Sequence, residues 1–151
     1  MLNNKRVQYV IEFQRILVPV IGTKADEEAI RLGCKLAKKN KAKIWAVYVI
    51  TPKRSLPLEA EIASEIRKAE DVLDRMESIA EEEDYEVETD LVQARDAGPA
   101  IVDEAGERDI DLILIGIAYK TRFGQFSMGS VVPYILRNAP CNAILYHQPR
   151  E

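Results

Sequence analysis

The sequence predicts an α/β protein with an open five-stranded parallel sheet and helices on both faces. First, short apolar runs rich in β-branched residues alternate along the chain with stretches of helical periodicity. Second, most of these runs are nearly free of polar residues, which is typical of parallel strands buried on both faces. Right-handed crossovers then give one economical arrangement, a doubly wound, Rossmann-like sheet.

Five segments are predicted as strands. The segment Val87–Val92 alternates in polarity and is expected near an edge of the sheet. The other four are almost wholly apolar: Ile16–Val20, Ile44–Ile50, Leu112–Ile115 and Ala143–Tyr146.

Helices are predicted between the strands. Thr23 is the expected N-cap of the first helix, Lys24–Lys39. The second covers residues 59–84, where an apolar stripe recurs every three or four residues. A coiled coil would show the same stripe, but the flanking strands favour a helix packed on a sheet. The stripe consists of Ile62, Ile66, Ala69, Leu73, Met76 and Ala80.

Two shorter helices complete the pattern. Pro99 suits the first turn of the third helix, which reaches about Gly106. The fourth covers about Ser130–Arg137 and ends before Pro140.

Length and composition limit the possible functions. The chain has 151 residues and a formal net charge of −4, which fits one domain and argues against general nucleic-acid binding. No apolar run reaches the roughly 18 residues of a membrane helix, and the N-terminus lacks a signal-peptide pattern. Cys34 and Cys141 are expected to be reduced thiols. We therefore expect a cytoplasmic protein with no membrane insertion and no nucleic-acid partner.

Charge is unevenly distributed along the chain. Residues 1–44 contain ten Lys and Arg against four Asp and Glu, whereas residues 59–86 contain three against twelve. One interpretation is an electrostatic docking face. The favoured one is that the second helix has a solvated outer side.

Residues for catalysis are not apparent. The only histidine, His147, has no partners in sequence that indicate a catalytic triad or a zinc site. Neither a Walker motif nor GxGxxG occurs. The sequence therefore predicts neither an enzyme nor a metal site.

The segment from Gly116 to Ser130 is the strongest candidate for a binding loop. It follows a buried strand and opens a helix at the carboxyl edge of the sheet, where doubly wound folds bind ligands. Gly129 would allow close approach of a ligand, and the next amides with the Ser130 hydroxyl would suit phosphate. Lys120 and Arg122 add positive charge. A solvated basic loop with turn glycines explains these residues about equally well.

Four motifs are spread along the chain: RILVPV-x-GT, VYVI, DLILIG and the ending GS-VVPYILRNAPCNAILY. With these motifs, residues 14–148 resemble the universal stress protein family. The family's nucleotide motif, Gly-x2-Gly-x9-Gly-Ser/Thr, falls on Gly116, Tyr119, Gly129 and Ser130. The resemblance implies a doubly wound fold, a dimer, and ATP at the strand ends in the ATP-binding branch. Residues 1–13 are then an N-terminal extension.

Two positions depart from the pattern of the ATP-binding members. Ile21 stands where those members have an Asp that contacts the adenosine moiety, and Tyr119 replaces the second glycine of the motif. We therefore expect weak or no ATP binding, with phosphate or sulfate near Ser130 and Mg²⁺ only with a nucleotide. The nucleotide-binding positions implied by the resemblance and the loop are Ile21, Val49, Gly116, Tyr119, Lys120, Arg122, Gly129, Ser130 and Val131.

Three functions remain open from the sequence. The leading one is a regulatory module with an adenine-nucleotide site. The alternatives are a dimeric interaction protein of the branch that binds no ATP, and a soluble regulatory domain associated with a transporter. A homodimer through the last strand, Asn142–His147, is expected because this apolar segment would lie at a sheet edge.

Overall fold

The computed structural model describes residues 12–120, 125–126 and 129–148. Five parallel strands form one sheet in the order β3-β2-β1-β4-β7, which confirms the predicted architecture. The strands of this sheet are β1 Arg15–Pro19, β2 Lys43–Ile50, β3 Glu88–Gln93, β4 Leu112–Gly116 and β7 Asn142–Tyr146. The helices are α1 Lys24–Lys38, α2 Ala63–Glu82, α3 Ala97–Glu107 and α4 Val131–Asn138.

Each face of the sheet packs against its own pair of helices. Side chains alternate along the strands, so Ile16 and Val18 join the core under α1 and α2. Leu17 points to the other face and joins the core under α3 and α4. This double covering explains why the central strands are almost wholly apolar.

The outer strands lie where the sequence places them. The half-polar strand β3 and the last strand β7 form the two edges of the sheet. None of the helices in the described ranges is long and apolar enough to cross a membrane.

The structure differs from the sequence-based prediction at the start of α2, which begins at Ala63 rather than residue 59. The Gln93 side-chain amide donates to the carbonyls of Leu58 and Ala60, at 2.6 and 2.7 Å. Because these carbonyls bind a side chain from β3, the residues before Ile62 form a loop instead of a further helical turn.

A second difference lies between β4 and α4. Two short strands, β5 Tyr119–Lys120 and β6 Gln125–Phe126, form an antiparallel pair there. The sequence predicted only a loop, because two-residue strands leave no periodicity to detect.

Candidate functional site

The candidate site lies beyond the carboxyl ends of β1 and β4. These strands are neighbours, but the connections that follow them run to opposite sides, since β1 leads to β2 and β4 leads to β7. A doubly wound sheet opens a crevice at such a reversal. The β1–α1 loop and the segment after β4 therefore meet at this edge.

The β1–α1 loop is held by one buried carboxylate. Asp26 is only 1% exposed, and its Oδ2 accepts hydrogen bonds from three successive amides. The donors are the N–H groups of Ile21, Gly22 and Thr23, at 2.7, 2.8 and 3.0 Å. In return, the Thr23 hydroxyl accepts from the Asp26 amide, which confirms Thr23 as the N-cap and completes a capping box. These three amides are thus already bound within the chain.

Burial raises the pKa of the Asp26 carboxyl above its ordinary value, and the amide bonds from the loop partly oppose that shift. The sequence-based reasoning missed this residue. The spacing Thr-x-x-Asp before an apolar helix was the signal that could have found it.

Ile21 occupies the loop position where an acidic residue was expected in ATP-binding relatives. Its side chain is 39% exposed, which is unusual for isoleucine in this chain. Its amide binds Asp26, so Ile21 offers an apolar side chain and no free amide to a ligand.

Gly116 has a packing role at this edge. A Cβ atom placed on Gly116 would lie 2.1 Å from the carbonyl oxygen of Ala25 and 2.6 Å from its carbonyl carbon. Only glycine lets the end of β4 approach the first turn of α1 this closely. The first glycine of the motif therefore fixes where α1 sits, whatever the site binds.

The other end of the site is formed where α4 begins. Gly129 has a φ of +53°, and a Cβ placed on it would meet nothing within 4 Å, so its backbone conformation is what favours glycine. Ser130 is exposed and makes no side-chain cap bond. The first-turn amides of Val131 and Val132 have no acceptor within a helix, and Pro133 has no N–H. Such a terminus, with no acidic residue in its first turn, suits an anion.

Five predicted positions remain: Val49, Tyr119, Lys120, Arg122 and Val131. Val49 and Val131 are half-buried and pack against the core under α3 and α4. Tyr119 and Lys120 lie in β5, and the structure does not describe their side chains. Arg122 lies outside the described residues.

Two cavities share a border formed by Ser64 and Lys68 of α2. One, of about 380 Å³, lies against Gly22. The other, of about 350 Å³, lies at the end of β2 and is lined by Val49 and Thr51. We call these two cavities and their shared border the cleft.

The cleft brings α2 into the site. Ser64 and Lys68 lie in the first turns of α2 and line both cavities. Their spacing of four places them on one helical face beside the apolar stripe. A serine and a lysine four residues apart beside the apolar stripe were the pattern in the sequence that could have indicated the cleft.

The described residues contain no group of three His, Cys, Asp or Glu side chains that could hold a metal ion. His147 follows β7, and its Nδ1 lies 3.4 Å from the carbonyl oxygen of Ile117. The histidine thus lies beside the residues that lead from β4 to the β5–β6 pair, in an exposed position.

Residues 12–147 match the model of the universal stress protein family, which is most of the chain. The chain belongs to the universal stress protein family. A universal stress protein of Methanocaldococcus jannaschii is 29% identical over 145 residues, which cover 92% of this chain and 85% of that protein.

Solved universal stress proteins share the fold. One from Archaeoglobus fulgidus is 26% identical with a TM-score of 0.71, covering 89% of this chain and 93% of its own. A structure of the Archaeoglobus fulgidus protein in complex with dAMP has 24% identity and a TM-score of 0.70, covering 89% and 98%. Another universal stress protein, in complex with cAMP, has 18% identity and a TM-score of 0.67, covering 91% and 98%. Adenine nucleotides are thus ligands of proteins with this fold.

Proposed function

We propose that this universal stress protein is a regulatory module that binds an adenine nucleotide. The phosphate would lie at Gly129 and Ser130, and the nucleoside would extend toward the cleft. The single observation that supports this best is the exposed start of α4, where Ser130 makes no cap bond at the reversal of the strand order. The dAMP and cAMP complexes of proteins with this fold support the class of ligand.

The proposed site favours the phosphate end over the adenosine end. Asp26 already binds the three amides of the β1–α1 loop, and Ile21 provides no acceptor for a ribose hydroxyl. An unpaired polar group of a bound ligand costs about 1–3 kcal/mol, which lowers affinity about 5- to 150-fold. We therefore propose weak ATP binding, with Mg²⁺ entering only with nucleotide phosphates.

Regulation by binding, without turnover, is the proposed mode of action. Nucleotide at Ser130 would contact both the start of α4 and the segment after β4, so occupancy would be passed to a partner through that surface. The expected setting is the cytoplasm.

Calorimetry with ATP and Mg²⁺ tests the account of the adenosine end. We expect little or no heat from the wild type and restored binding in the double variant Ile21→Asp/Tyr119→Gly. Ser78→Ala, an exposed serine on α2 outside the cleft, is the matched control for handling and should behave as the wild type. Micromolar binding of ATP by the wild type would show that both departures are tolerated and that this reasoning is wrong.

A second candidate is an interaction protein that uses no nucleotide, either alone or beside a transporter. The exposed apolar side chain of Ile21 at the mouth of the site favours it. Mass spectrometry of small molecules released by denaturing the purified protein separates the candidates. An adenine nucleotide in the released fraction supports the nucleotide-binding module. The interaction protein requires that no nucleotide be released and that millimolar AMP also fail to bind.

We also propose a homodimer through Asn142–His147. Strand β7 pairs with β4 on one side, and its other side is an edge of the sheet. Ile144 and Leu145 of this edge strand are only half-buried, so apolar surface remains uncovered there. The amide of Ile117 donates to the carbonyl of Tyr146, so the backbone N–H and C=O of Tyr146 point to β4. The backbone groups of the preceding residue, Leu145, point the opposite way, and its N–H is therefore directed away from the sheet.

This orientation gives a selective test of the dimer. Leu145→Pro removes an outward donor while sparing the β4 ladder, so light scattering should show a weaker dimer with the fold retained. A 17.1 kDa monomer for the wild type at micromolar concentration would contradict the proposal.

A further inference from the structure

A further cavity lies at the amino ends of the strands, at the opposite end of the sheet from the candidate site. It encloses about 560 Å³ between the turn that leads into β2 and the turn that joins α2 to β3. We call it the amino-edge groove. Its lining residues are Lys41, Ala42, Lys43, Ile44, Glu81, Asp84, Tyr85, Glu86 and Glu88.

The amino-edge groove combines an apolar floor with an acidic rim. Ala42 and Ile44 are buried at its base, and the Tyr85 hydroxyl donates to the carbonyl of Ala42. The rim is formed by exposed charged residues, four carboxylates against two lysines, which leaves it acidic: Glu81, Asp84, Glu86, Glu88, Lys41 and Lys43.

Most of this acidic charge has no cationic partner within the described part of the chain. The Glu88 Oε1 lies 3.8 Å from the Lys43 Nζ. Glu81, Asp84 and Glu86 form no ion pair with any residue that the structure describes. The groove therefore suits an occupant that is both basic and partly apolar.

The chain enters the fold beside this groove. The Asn40 side-chain amide donates to the carbonyl of Phe13 at 2.7 Å, and the Lys43 amide donates to the carbonyl of Gln14 at 2.9 Å. Asp111 also binds this segment, since its carboxylate accepts a hydrogen bond from the Gln14 amide at 2.8 Å. Residues 13 and 14 are thus fixed next to Lys43, which lines the groove.

The eleven residues before Glu12 have the composition that the groove requires. They contain Lys5 and Arg6, no acidic residue, and the apolar side chains of Val7, Tyr9, Val10 and Ile11. Eleven residues span at most about 40 Å when extended, which is ample for a groove that starts at the point of entry. The family match begins at residue 12, so this segment is additional to the shared fold.

We propose that residues 1–11 of this chain dock into its own amino-edge groove. The charge of Lys5 and Arg6 complements that of Glu81 and Glu86, and the apolar residues that follow match the apolar floor at Ala42 and Ile44. The uneven distribution of charge noted in the sequence then has a functional meaning, since the basic start of the chain and the acidic α2 segment attract each other. This docking surface is separate from the nucleotide site and does not depend on it.

Amide chemical shifts of the ¹⁵N-labelled full chain test the proposal. Lys5→Glu/Arg6→Glu should move the amides of residues 41–44 and 81–88 and leave those around Ser130 unchanged. Lys53→Glu/Arg54→Glu makes the same change of charge at the opposite edge and should leave residues 81–88 unmoved. Adding Glu81→Lys/Glu86→Lys to the first variant reverses the groove and should return the remaining groove amides toward their wild-type shifts.

Salt gives an independent readout. Raising the ionic strength from about 0.02 to about 0.5 M shortens the range of charge attraction, so the groove amides of the wild type should shift as in the first variant. If those amides do not respond to Lys5→Glu/Arg6→Glu or to salt, the proposal is wrong. If the response grows with protein concentration, the occupant is the segment of a second copy and docking within one chain is likewise refuted.

Discussion

Replacing Gly116 by alanine tests the close approach of β4 to α1. An added Cβ would meet the Ala25 carbonyl oxygen at 2.1 Å, the carbonyl carbon at 2.6 Å and the Asp26 amide nitrogen at 3.1 Å. Real Cβ contacts essentially never fall below 3.0 Å, so the first turn of α1 must move by about 1 Å. The atoms in the way belong to the backbone, and a rotamer change cannot relieve the clash.

The expected cost follows from the two elements that would separate. Overpacking of a well-packed interior costs typically 1–3 kcal/mol, and a clash between two backbones belongs at the upper end, about 3 kcal/mol. For a domain of this length, that corresponds to a melting temperature lower by about 6–12 °C. The capping box at Thr23 would be displaced with the helix, so the β1–α1 loop should lose order as well.

Thermal unfolding followed by circular dichroism measures the effect, and two other glycines serve as controls. A Cβ on Gly33 of α1 would meet Leu114 at 3.5 Å, an ordinary contact, and one on Gly106 of α3 would meet nothing within 4 Å. Both Gly→Ala changes should be neutral or stabilise by up to about 1 kcal/mol, because alanine favours a helix. A Gly116→Ala variant that melts within about 2 °C of the wild type would refute the close approach.

Three further predictions concern stability and reactivity. Leu73→Ala should lower the free energy of unfolding in urea by about 2–5 kcal/mol because Leu73 is only 6% exposed. Leu136→Ala, at a side chain that is 55% exposed, should be nearly neutral. Equal effects of the two changes would contradict the packing of α2. The raised pKa of Asp26 means that the folded state holds its proton where the unfolded state has released it, so the stability from this group is present below about pH 4 and is lost as the pH rises through the folded pKa. Unfolding measured from pH 3.5 to 7 should show this loss in the wild type but not in Asp26→Asn, and parallel curves would contradict it. Burial raises the pKa of Cys34 to about 11, so iodoacetamide at pH 8 should modify it only in urea; rapid modification of the native protein would show that the thiol is accessible.

The five strands of the parallel sheet could be predicted because buried parallel strands leave a local signature. Runs such as Leu112–Ile115 are apolar on both faces, and the half-polar β3 revealed its edge position in the same way. The start of α2 could not be predicted. It depends on the side chain of Gln93, which binds carbonyls more than thirty residues earlier in the chain, and no local pattern reports such a contact.

The residues of the candidate site likewise differ in whether their roles depend on local or on distant contacts. Gly129 and Ser130 could be predicted as a phosphate-binding end because a glycine and a hydroxyl before a helix have a local chemical meaning. The role of Gly116 depends on Ala25, about ninety residues away, so the glycine is visible in the sequence but its steric reason is not. Asp26 is the exception, because its capping spacing with Thr23 is local and was readable.

Titration of the ¹⁵N-labelled full chain with AMP tests the nucleotide site most directly. Shifts observed up to millimolar ligand detect weak binding and locate it on the chain. We expect AMP to shift the amides of Gly129–Val132 together with those that border the cleft, and inorganic phosphate to shift only the former. Ser130→Ala should weaken both responses, whereas Ser78→Ala should not. No saturable response to millimolar AMP, or a response elsewhere on the protein, would contradict it.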